Sequence, residues 1–89
     1  MSKRTEWGQR QKDLTREILE SVDIVAFSFD ASGINKGCTL NHLDGDYGYI
    51  TLSDALDNNW RIYDYKSDEL IKAYGSINEI IEDGWKVST

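Results

Sequence analysis

The chain contains one imidazole, His42, and one thiol, Cys38. A thiol works as a nucleophile when a base lies within hydrogen-bond reach. These two are four residues apart. On a strand that spacing puts both on one face but roughly 13 Å apart, at about 3.3 Å per residue. That is too far for a hydrogen-bonded pair. One Cys and one His also fall short of the four N/S ligands of a zinc cage, and a single thiol forms no internal disulfide. The expectation is a packed thiol and a solvated imidazole, with no catalytic residue, no metal and no cofactor.

A second chemical candidate is the stretch from His42 to Asp54, which carries Asp44 and Asp46 in the alternation of an EF-hand calcium loop. Such a loop wants acid or Asn at positions 1, 3 and 5, Gly at 6 and Glu at 12. With Asp44 at position 3, those places hold His42 at 1, Tyr47 at 6 and Ser53 at 12. The Asp44-Gly45-Asp46 run reads better as a hairpin turn, where Asp-Gly suits positive φ. Phosphate loops, dinucleotide fingerprints and RNP-type aromatic motifs are absent from the sequence. The paired acids Asp68-Glu69 and Glu82-Asp83 need no chemistry beyond solvation.

What remains is a binding surface. Arg61, Tyr63 and Tyr65 alternate with Trp60, Ile62 and Asp64. If Ile62 points inward, the tyrosines and Arg61 point out, where Tyr47 and Tyr49 join them if the two strands are neighbours. Tyr and Arg are favoured at binding hot spots. The expected surface is Tyr47, Tyr49, Arg61, Tyr63 and Tyr65, with Asp64, Asp68 and Glu69 beside them.

Charge selects the partner. Residues 1–16 balance to +3 and residues 17–89 to -9, for a net -6. An acidic body repels phosphates, so direct binding of nucleic acid is disfavoured. A protein partner with a basic, nucleic-acid-binding surface suits it. In composition the chain resembles small phage-encoded inhibitors of host nucleic-acid enzymes, some of which imitate DNA charge; the resemblance implies a non-enzymatic inhibitor. The alternative is an oligomer that binds a small anionic or nucleotide-like ligand between subunits, because one 89-residue fold has little room for a pocket.

The elements that must position these residues follow from periodicity. Residues 9–22 read as a helix through Leu14, Ile18, Leu19 and Val22. Residues 23–30 read as a strand covered on both faces, with Val25, Phe27 and Phe29 alternating with Ile24, Ala26 and Ser28. Residues 31–37 are a loop; residues 38–43 read as a short strand or as part of that loop, and residues 47–52 as a strand. An internal echo then matches residues 52–62 to residues 77–87: a short helix capped by Ser53 or Ser76, a left-handed end at Asn59 or Gly84, and a strand opening on Trp60 or Trp85. The helices are expected over residues 53–58 and 76–83, with a helical turn over residues 67–74. A parallel crossover between residues 47–52 and 60–65 would be unusually short. The fold class is α+β: an N-terminal helix and a mostly antiparallel sheet of four or five strands, in a single domain over residues 9–89 behind a mobile basic arm at residues 1–8. Neither a secretory signal nor an apolar run near the roughly 20 residues of a membrane span is visible, so the expected location is cytoplasmic.

Overall fold

The computed structural model describes residues 6–23, 26–27 and 36–88. Over the described residues it is an α+β fold with one N-terminal helix, a five-stranded antiparallel sheet and two short helices. In chain order these are α1 (Gln9–Ser21), β1 (Cys38–His42), β2 (Tyr47–Ile50), α2 (Leu52–Leu56), β3 (Trp60–Asp64), β4 (Leu70–Tyr74), α3 (Ile77–Glu82) and β5 (Trp85–Val87). The strand order is β4-β3-β2-β1-β5. Every pairing is antiparallel, including β2 with β3, so the short parallel crossover does not occur.

Alternation divides the sheet into two faces. Leu40, Ile50, Ile62, Trp60, Trp85 and Val87 point inward and meet Ile18 and Leu19 of α1 and Ile80 of α3 in one core. Trp60 and Trp85 are both core side chains, at 6% and 1% exposure. Gly48 has no side chain because a Cβ there would lie 2.7 Å from Ile62 Cγ2 and 2.8 Å from the Tyr63 carbonyl oxygen.

Helix α1 stops where Val22 turns left-handed at φ 48. Beyond it the chain departs from expectation. Residues 26 and 27 are helical, with the Phe27 N–H donating to the Asp23 carbonyl at 3.0 Å, so these two are not strand. A short run that is apolar on every side suits a buried helical turn as well as a strand, and Phe27 is indeed buried. The rest of that expected strand, and the loop through residue 35, lie outside the described residues.

Residues 38–42 resolve as strand, and residues 43–46 turn the hairpin with Gly45 at φ 102. Helix α2 is capped by Thr51, whose hydroxyl accepts the Asp54 N–H at 3.0 Å, and not by Ser53. Its left-handed residue is Asn58, φ 58, not Asn59. Ser76 caps α3 as expected, accepting the Glu79 N–H at 3.2 Å, and Gly84 is left-handed at φ 105. The expected helical turn over residues 67–74 is overturned: Leu70–Tyr74 is the edge strand β4, paired to β3 through a bulge at Ile62/Tyr63.

The two sheet edges differ. At β5, the Val87 N–H points away from β1 and donates to the Thr15 hydroxyl at 3.1 Å. That hydroxyl donates in turn to the Gln11 carbonyl at 2.7 Å. Trp7 adds a hydrogen bond from its indole N–H to the Gly84 carbonyl at 2.7 Å. Edge β4 carries exposed Leu70 and Ile71, with the bulge and Lys72 blunting it against pairing with other chains.

Candidate interaction surface

Helices α1 and α3 pack on the inner face of the sheet, opposite the face that carries the tyrosines. Register brings the tyrosines together: Tyr49 pairs with Tyr63 across β2 and β3, and the Tyr65 N–H donates to the Tyr47 carbonyl at 3.0 Å. The Tyr47 and Tyr65 rings stack at 5.1 Å and 14°. Tyr49 lies 5.7 Å from Tyr63 and 6.2 Å, edge-on, from Tyr65. These four expected residues therefore form one aromatic cluster. Exposure within it is graded, from Tyr49 at 8% to Tyr47 at 39%.

Asp68 ties the cluster together. Its Oδ1 accepts from the Tyr49 hydroxyl at 2.9 Å and from Lys36 Nζ at 3.0 Å. Lys36, followed by Tyr49, holds the Asp68 carboxyl below the usual carboxylate range. Desolvation, then the hydrogen bond to Asp68, pushes the Tyr49 phenol up to about 12. Lys36 also donates to the Tyr65 carbonyl at 2.5 Å and lies 4.6 Å from the Tyr65 ring centroid and 5.7 Å from that of Tyr49. Sequence reasoning missed Lys36, because its place against Tyr65 exists only once the strands are paired.

Arg61 faces the same side but is engaged. Its Nη2 donates to Asp54 Oδ1 at 2.5 Å, and that carboxylate, hydrogen-bonded and close, raises the guanidinium pKa. Its Nε is buried with no hydrogen-bond partner among the described residues. Asp64 is a turn residue: its Oδ2 accepts the Lys66 and Ser67 N–H groups at 3.0 and 2.8 Å, the Ser67 bond leading the depression of its pKa. Glu69 stands exposed where β4 begins, its carbonyl taking the Asp64 N–H at 2.8 Å.

Antiparallel order brings three connections to one end of the sheet: β1–β2, β3–β4 and α3–β5. That end carries Asp44, Asp46, Asp64, Asp68, Glu69, Glu82 and Asp83 beside Tyr47 and Tyr65. The Asp46 N–H, donated to Asp44 Oδ1 at 2.9 Å, is the leading cause that keeps the Asp44 carboxyl low. Asp44 and Asp64 are thus held low by the turns they close, and Asp68 by Lys36 and Tyr49.

Of the two residues weighed first for chemistry, Cys38 is packed as expected, and His42 is packed too, with its side chain 17% exposed, not solvated. Cys38 is buried, and desolvation, with Asp23 adding to it, pushes its thiol up to about 12, far from a reactive thiolate. His42 packs edge-on against Trp85 at 4.8 Å and bonds the Asp83 carbonyl through Nε2 at 2.5 Å. Among the described residues, no three His, Cys, Asp or Glu side chains converge as metal ligands, and no helix is long and apolar enough to cross a membrane.

No family model, curated protein or solved structure matches the chain.

Proposed function

We propose that the protein is a non-enzymatic interaction module whose tyrosine-lined sheet face and acidic sheet end dock together on a basic surface of a partner protein, such as one that otherwise holds nucleic acid. The observation supporting this reading is the contiguity of the Tyr47–Tyr65 stack with the acidic turns. Rigid aromatic rings supply contact area at low entropic cost, and the carboxylates beside them supply electrostatic complementarity, which raises association rates and makes them salt-sensitive. Asp44 and Asp64 are already anchored by turn N–H groups, so little further ordering of them is needed on docking.

The test is retention of native-host proteins on the immobilised chain at about 50 and 500 mM salt, where screening lengths differ severalfold, beside the Tyr47→Ala/Tyr63→Ala variant. Expected is a basic protein retained at low salt, released at high salt, lost with the variant and competed off by nucleic acid. Retention that ignores both salt and the variant refutes the reading.

A further inference from the structure

The ammonium of Lys36 sits in a site with more acceptors and aromatic faces than a surface ion pair requires. The Tyr65 carbonyl and Asp68 Oδ1 accept from it at 2.5 and 3.0 Å. Two aromatic rings face it, Tyr65 at 4.6 Å and Tyr49 at 5.7 Å to the centroids. The Tyr49 hydroxyl is directed at Asp68, orienting the carboxylate that completes the cage. Rings facing a cation, plus a carboxylate and a carbonyl, are what select an alkylammonium over a neutral or anionic group. The Lys36 side chain is 23% exposed, so its place is not sealed from solvent.

We propose that this is a cation-recognition seat for a lysine side chain of a basic partner, and that Lys36 is its built-in competitor. The inference rests on the docking reading above and adds its chemistry: the partner's ammonium replaces Lys36 over Tyr65 and against Asp68. Lys36 is an intramolecular ligand, so the apparent affinity is the intrinsic one multiplied by the fraction of molecules in which the seat is vacant. If Lys36 holds the seat about nine-tenths of the time, removing it strengthens binding about tenfold. Docking then requires a partner rich enough in cations to outcompete it, which is a selectivity device.

The test measures binding of a tetralysine peptide to the full chain by calorimetry and by the Tyr49 and Tyr65 ring resonances. Wild type, Lys36→Met, Lys36→Met/Asp68→Asn and Lys36→Met/Tyr65→Leu are compared, with circular dichroism confirming folding. Expected is tenfold tighter binding by Lys36→Met, with ring shifts, and loss of that gain in both double variants. A tetraglutamate peptide is expected to show no gain. Lys36→Met binding no tighter than wild type, or a gain that survives both double variants, overturns the seat. A tetralysine gain in a chain that retains no basic partner refutes the docking reading and leaves the seat standing. Retention without the gain does the reverse.

Discussion

Replacing Tyr74 by Phe removes one oxygen from a chain of hydrogen bonds that closes the core. The Trp85 indole N–H donates to Tyr74 Oη at 2.8 Å, and the Tyr74 hydroxyl donates to the Asp83 carboxylate. Trp85 is 1% exposed, so its N–H loses its acceptor where water does not reach; an orphaned buried donor costs about 1–3 kcal/mol. Asp83 is exposed and regains water, so its share stays at the low end of a charged hydrogen bond. The variant is therefore expected to lose about 2–3 kcal/mol. Asp83→Asn keeps an acceptor for the hydroxyl and is expected to lose about 1 kcal/mol. For a chain of this size, total stability is of the order of 4–13 kcal/mol, so the Phe variant should melt about 10–20 °C lower. Urea unfolding followed by tryptophan fluorescence, with the slope checked for constancy, reads the difference. A loss below about 1 kcal/mol at unchanged slope would refute the claim that the indole depends on Tyr74.

Trp60→Ala is expected to cost about 3–5 kcal/mol, because the ring is buried at the end of the core; a denaturation midpoint near wild type would contradict this. Thr15→Val keeps shape but leaves the Val87 N–H without its hydroxyl acceptor, with an expected loss of about 1–3 kcal/mol and faster hydrogen exchange at residue 87. Alkaline titration gives a signed prediction. The folded Tyr49 phenol titrates at about 12 against the ordinary 10, so the folded state binds its proton more tightly. Stability is then unaffected below pH 10 and falls as pH rises toward 12. Tyr49→Phe should remove that part of the decline in pH-dependent unfolding.

The outer face was legible because two strands keep strict period: Tyr47 and Tyr49 on one, Arg61, Tyr63 and Tyr65 on the other. Alternation put each set on one side of its own strand, and the pairing of β2 with β3 brought the two sets together. Strand β4 was not legible. Its Leu70-Ile71 pair breaks alternation because an edge strand with a bulge buries little on either face, and the same pair fits a helical turn. That Asp64 also closes a turn, its Oδ2 accepting the N–H groups of residues 66 and 67, could not be read from its place beside the tyrosines. Arg61 looked free until folding set the Asp54 carboxylate, on a helix residue seven positions earlier, against it. Lys36 and the Thr15–Val87 bond left no trace in local sequence, since each joins segments far apart along the chain.

The hydroxyl of Thr15 and the amide of residue 87 meet across 72 positions of sequence, and β5 completes the sheet beside β1. During synthesis, the surfaces that α1 and β1 hold ready for that strand stay uncovered until residues 85–87 emerge from the ribosome. Closure of the sheet thus waits on residues 85–87, and a nascent chain stalled after β4 would be a sticky species for chaperones to hold.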